Sequence, residues 1–154
     1  MIKNSYKALV LTILTFACLN SSAQSDEDAI KRTINNMFDG MRKTDTALIR
    51  SAFSPVAILQ TIARNRDGAT VIRTDAVDSF VVSIARPRTE VLDERISFET
   101  IKIDGDLAIA WTPYKFYVGE KFSHCGVNSF QLVRLNKEWK IQYLIDTRRR
   151  QGCE

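Results

Sequence analysis

Histidine is almost missing from this sequence, with one residue in 154, and there are only three cysteines, three prolines and six glycines. One imidazole and so few thiols cannot assemble a plausible zinc set. The low proline and glycine content excludes a collagen-like chain, and the 45% apolar content excludes a disordered one. Long hydrophobic runs are lacking too. The main one, Ala8–Leu19, has twelve residues, whereas a membrane-spanning helix takes about 20. A strong charge of one sign is also absent, since 22 Lys plus Arg face 18 Asp plus Glu. What is present fits one domain, because a chain of this size buries roughly 70% of its extended surface and needs no metal or disulfide to hold a core.

Lys3 and Lys7 precede the apolar run, and Asn20-Ser21-Ser22-Ala23-Gln24 follows it. This order of positive start, apolar centre and small-x-small site predicts a signal peptide over 1–23 and a single domain over 24–154. The mature protein is therefore expected to be exported, periplasmic or secreted, with no membrane association once the signal is gone. Cys18 raises a lipoprotein alternative, but Thr15-Phe16-Ala17 does not fit the Leu-small-small-Cys pattern of lipidation sites. Removing 1–23 takes away Lys3 and Lys7 and no acid, so 20 basic residues then face 18 acidic ones. Arg148-Arg149-Arg150 reads as a solvated tail, and no aromatic interleaving or RNA-binding signature supports a nucleic-acid partner. Cys125 and Cys153 remain as an even pair. In an exported chain they permit a disulfide, closing a loop of about 28 residues and stabilising by about 3 kcal/mol in the chain-entropy model.

Ser25 and the acidic Asp26-Glu27-Asp28 predict a helix start, and Ile30, Ile34, Met37, Phe38 and Met41 recur at helical spacing. A second, short helix capped by Thr44 or Asp45 is expected to end at Pro55. Val56–Ala63 and Thr70-Val71-Ile72, joined by Asn65-Arg66-Asp67-Gly68, read as a hairpin. A third helix, capped by Thr74 or Asp75, carries Val77, Phe80, Val81 and Ile84 on one side and stops at Pro87. From Glu90 onward four antiparallel strands are predicted, turning at Asp104-Gly105, Gly119-Glu120 and Asn136-Lys137.

Using those turns as pins pairs Trp111 with Asn128, Lys115 with His124, Phe130 with Tyr143 and Asn128 with Ile145. One face then carries Trp111, Phe122, His124, Asn128, Phe130 and Tyr143 and is expected to face the core. The other, with Ala108, Ala110, Thr112, Tyr114, Leu144 and Asp146, is expected to form a flat homodimer contact, with Asp146 in an ion pair with Arg148. A one-residue bulge would exchange the two faces.

This order of elements resembles the nuclear transport factor 2-like fold, also called SnoaL-like or cystatin-like. More specifically, Asp93–Glu99, Trp111-Thr112-Pro113-Tyr114, Phe122–Phe130 and Trp139–Arg149 are similar to an exported Bacteroidetes-type group labelled nuclear transport factor 2 family or lumazine-binding. The resemblance implies an α+β fold, a cone-shaped, strongly bent antiparallel sheet wrapped on N-terminal helices, with a pocket inside and often a homodimer. It implies no settled activity, because fold does not assign function.

Trp111, His124, Asn128 and Tyr143 are the expected pocket residues for a small apolar or heteroaromatic ligand, with His124 and Asn128 orienting it. No cofactor and no metal is expected. The core-facing positions of the last strands contain no Asp or Glu, so the leading expectation is a binding domain without chemistry. A lyase, isomerase or cyclase would use His124 as general base and Tyr143 as electrophile. A third alternative is a non-catalytic dimeric interaction domain whose pocket is filled by its own side chains.

Overall fold

The computed structural model describes residues 26–153. The expected signal peptide over 1–23 and the capping Ser25 lie outside the described residues. Helix α1 covers 26–43, and Ile30, Ile34, Met37, Phe38 and Met41 are all buried along one side, as the spacing requires. Asp26 anchors it: Arg134 Nη1 and Nη2 donate to its two carboxylate oxygens at 3.1 and 3.0 Å. The guanidinium also stacks over Trp139, 4.7 Å from the ring centre.

Helix α2 (Thr46–Ala52) is capped by Asp45, whose side chain accepts from Leu48 N at 2.9 Å. The chain reverses between α1 and α2 at Thr44 and Asp45, and α2 packs back on Gly40 of α1, where a Cβ would stand 2.7 Å from Ile49, so any larger residue would force the helices apart. Pro55 does not end α2. Strand β1 (Phe53–Arg64) already begins at Phe53, and Pro55 falls in an irregular stretch where its missing N–H costs no ladder bond.

Strand β2 (Thr70–Ala76) completes the expected hairpin with β1. Helix α3 (Val77–Ala85) follows directly, and its N-cap is Ala76, without a side-chain cap. Thr74 and Asp75 remain in the strand, because the ladder to β1 continues to Ile58–Ala76 and claims their backbone.

The region expected as four strands has five pieces: β3 (Leu92–Ile96), β4 (Thr100–Asp104), β5 (Leu107–Val118), β6 (Lys121–Leu135) and β7 (Glu138–Thr147). Both β3 and β4 pair with β5, and the break between them lies opposite Pro113, which cannot donate to its neighbour. The sheet order is β2-β1-β7-β6-β5-β3, with β1 and β7 parallel. Turns fall at Gly119-Glu120 and Asn136-Lys137 as expected, while the first is Gly105-Asp106, one residue later than expected, because Asp104 still pairs with Leu107. Asn136 and Lys137 both have positive φ (51° and 68°), as a tight two-residue hairpin demands.

Two β-bulges change the expected register. Val118 pairs with Lys121 as expected, but Ser123 is an extra residue, so His124 faces Phe116 and Asn128 faces Thr112. Gln142 is a second extra residue, so Phe130 faces Leu144 and Asn128 faces Asp146. Its side chain accepts from Ser54 Oγ at 2.7 Å and donates to Val56 O at 3.3 Å, tying the bulge to β1. Each bulge rotates the strand beyond it by one side-chain position. Ala108, Ala110, Thr112, Tyr114, Leu144 and Asp146, expected on a dimer face, therefore line the inner side with His124, Asn128, Phe130 and Leu132. Trp111 and Tyr143 move to the outer side.

The core lies between the inner side of the sheet and the helices, with Phe38 set edge-on to Phe130 at 6.3 Å. A disulfide joins Cys125 to Cys153 and holds the C-terminal segment along β6, where Arg149 and Cys125 exchange backbone hydrogen bonds of 2.9 Å.

Candidate functional site

Between the bent sheet and the helices lies a partly open cavity of about 330 Å³, within the size range of small-molecule sites. Its walls are apolar: Met37, Phe38 and Met41 from α1, Phe80 and Ile84 from α3, and Leu59, Leu92, Phe116 and Leu144 from the sheet. Its polar residues include Glu94, Tyr114, His124, Asn128, Asp146 and Arg148. Each comes from a strand, or the end of one, held by pairing on its neighbours.

Glu94 is placed by β3, where Leu92, Glu94 and Ile96 alternate onto the inner side. Arg42 Nη1 donates to the Glu94 carbonyl at 3.2 Å and to Asp93 Oδ1 at 3.1 Å, which fixes β3 against α1. The Glu94 side chain accepts one hydrogen bond, from Asn128 Nδ2 to Oε1 at 2.8 Å. Burial pushes this carboxyl up to about 7. The Asn128 bond and the Arg148 charge oppose the shift, and the nearby Asp146 carboxylate adds to it.

Asp146 is treated differently. Arg148 Nε donates to its Oδ2 at 2.8 Å, forming an ion pair, while Arg148 Nη2 reaches Thr61 Oγ1 at 3.2 Å. The guanidinium is held above its ordinary value: burial works against its charge, and Asp146, with Tyr114 and Glu94, more than offsets it. Tyr114 Oη lies 2.8 Å from Thr147 O and 3.3 Å from Asp146 Oδ2, so its single proton goes mainly to the carbonyl. Burial first, then the two carboxylates, raises the phenol well above its usual value and keeps it neutral.

The Tyr114 ring reaches this position because its cross-strand partner is Gly126. A Cβ on Gly126 would stand 1.8 Å from Thr147 O and 2.8 Å from the Tyr114 ring. His124 sits against Phe116 at 4.9 Å and edge-on to Tyr114 at 5.7 Å, with Nδ1 3.0 Å from Ser123 Oγ. Burial, helped by the Arg148 charge, lowers its pKa, so the imidazole is neutral at pH 7.

Of the four residues expected to bind ligand, His124 and Asn128 line the cavity. Trp111 is 46% exposed on the outer side, opposite Ser129, and cannot stack a ligand in the cone. Tyr143 donates its hydroxyl to Gln60 Oε1 at 2.7 Å and does not line the cavity. Glu94, Tyr114, Asp146 and Arg148 were not expected there. The alternation of Leu92-Asp93-Glu94-Arg95-Ile96 carries a signal for Glu94, since it puts one carboxylate between two apolar residues. Asp146 carried none, because its side depends on the Gln142 bulge.

A family model described as "Putative lumazine-binding" matches residues 25–143. No curated protein matches the sequence. Among solved structures, a nuclear transport factor 2-like protein of unknown function from Shewanella baltica is similar with a TM-score of 0.62 at 16% identity, over 81% of this chain and 94% of its own. A protein from Streptomyces avermitilis described as a "putative dehydratase from the NTF2-like family" gives a TM-score of 0.65 at 12% identity, over 82% and 98%. The β subunit of a "putative aromatic-ring-hydroxylating dioxygenase" from Novosphingobium aromaticivorans gives 0.67 at 15% identity, over 82% and 91%. At these identities the likeness concerns the fold, which is nuclear transport factor 2-like. With a family model spanning most of its length, an α+β cone and a cavity within it, the chain belongs to the family described as putative lumazine-binding.

Proposed function

We propose that the protein is an exported binder of a small, flat, mostly apolar molecule, held in the cone with its polar edge towards Glu94 and Asn128. The observation that supports this reading is the cavity itself: about 330 Å³ of mainly apolar wall with polar groups converging within it. A filled core would leave no such space, and a site for a charged ligand would not pair its guanidinium with Asp146. The family description adds a heteroaromatic class, of which lumazine is the simplest probe. The reading includes removal of residues 1–23 on export, and association of two copies through the outer side of the sheet.

Native mass spectrometry of the protein recovered from its own export compartment should show a bound small molecule on a chain starting at Gln24. Titration with lumazine and related bicyclic heteroaromatics, followed by their fluorescence, should show saturable binding that Ser83→Trp, which fills the cavity, abolishes. An empty protein that also binds none of these compounds would overturn the reading.

A further inference from the structure

The cavity contains two carboxyl groups in opposite circumstances. Asp146 is neutralised by Arg148 and approached by Tyr114. Glu94 has only the neutral Asn128 amide as hydrogen-bond partner among the described residues, and that bond occupies Oε1. Its other oxygen is thus not committed to any protein donor, on a carboxyl that lines the space a ligand would fill. Structural carboxylates inside proteins are matched to cations or several donors. A carboxyl left with one neutral donor beside a cavity is suited to exchange a proton with whatever enters it.

We propose that Glu94 is the general base and acid of this cavity, exchanging a proton with a bound heteroaromatic or carbonyl compound that carries a weakly acidic C–H or N–H. This rests on the binding reading above. Glu94 takes the proton, and the electron pair of the broken bond moves into the ligand's π-system. The negative charge that develops on a ring nitrogen or carbonyl oxygen can be met by Arg148, whose N–H groups outnumber those bound to Asp146 and Thr61, and by the neutral His124. Glu94 then returns the proton to the same or another atom of the ligand, so no electron leaves the site and no oxidant or reductant is needed.

The charged and titratable groups around Glu94 are consistent with this role. Tyr114 and His124 are neutral, Asp146 and Arg148 are paired, Asp75 from β2 also lines the cavity, and Arg42 engages the Glu94 carbonyl rather than its carboxyl. With its titration near 7, Glu94 is present in both protonation states under ordinary conditions, which is where acid–base catalysis is most effective. His124, the base expected from the sequence, is a hydrogen-bonding wall in this arrangement.

Nitrobenzisoxazole tests the proposal: loss of its ring C–H proton to a base breaks the N–O bond and releases a coloured phenolate. Nitrobenzotriazole, of the same shape and unreactive, reports binding separately. The wild-type protein should bind the triazole and accelerate the elimination, with a rate that rises with pH through about 7. Glu94→Gln should keep triazole binding and lose no thermal stability, but lose the acceleration by about a hundredfold. Glu94→Asp should restore part of it. Triazole binding without acceleration, or acceleration unaffected by Glu94→Gln, overturns the proposal and leaves the binding reading standing. Failure to bind the triazole overturns the proposal, while the binding reading is decided by the lumazine titration.

Discussion

Glu94 is where a single residue controls a measurable property of the folded protein. Its carboxyl titrates near 4.5 when solvated and near 7 in the fold. Between those values the native state holds a proton that the unfolded chain has released, so stability falls as pH rises through this window. The contribution is fully present below 4.5 and lost above 7, and amounts to about 3 kcal/mol at most. Glu94→Gln mimics the protonated carboxyl. It should therefore flatten the dependence, leaving stability unchanged near pH 5 and raising it by up to about 3 kcal/mol at pH 8, as urea denaturation at the two pH values will show. An unchanged slope would mean that water reaches the carboxyl freely. Glu94 was half legible in the sequence. Alternation put it on one side of a strand, but that the side faces a cavity depends on the helices and on Arg42.

At the scale of elements, the β-bulges at Ser123 and Gln142 decide what faces inward. Without the first, Trp111 would face the core in place of Thr112, and without the second Asp146 would point outward, away from Tyr114. The helices and turns were legible, because the 3.6-residue period of Ile30, Ile34, Met37 and Met41 and the positive φ at Asn136 and Lys137 are local preferences. A bulge has no comparable pattern here. The one at Gln142 is held by side-chain bonds to Ser54 and Val56, over 80 residues earlier in the chain. Gly126 is the element-level counterpart: only a residue without Cβ lets β5, β6 and the end of β7 close around Tyr114. Gly126→Ala should cost about 3 kcal/mol, measured as a fall in the denaturation midpoint. It should also weaken ligand binding even where the protein remains folded, because Tyr114 and Asp146 would be displaced.

The whole molecule has one sheet side spent on the core and cavity, and another that remains apolar. Leu107, Ile109, Trp111 and Phe122 are 49%, 44%, 46% and 39% exposed there. Large apolar side chains exposed in number on one side of a sheet mark a contact surface. In the proposed homodimer a second copy covers it, because a closed two-fold contact uses the same patch on both partners. Sedimentation at micromolar concentration should give a dimer, and Trp111→Glu should convert it to a folded monomer that still binds ligand. A wild-type monomer would argue against the contact. The face expected for this role from the sequence was the wrong one, for the same reason that Trp111 was expected in the pocket.

The sequence by itself determined the helix faces, two of the three turns, the element order apart from the division of β3 from β4, the family likeness and the pairing available to Cys125 and Cys153. These rest on contacts between near neighbours in the chain, or on residue types that allow one outcome. The tertiary structure alone decided the parallel pairing of β1 with β7, the side taken by every strand residue beyond a bulge, and the meeting of Glu94, Asn128, Asp146 and Arg148. Those outcomes depend on burial and on bonds between distant segments. A shift of one residue in a strand leaves its local preferences untouched while exchanging its two sides.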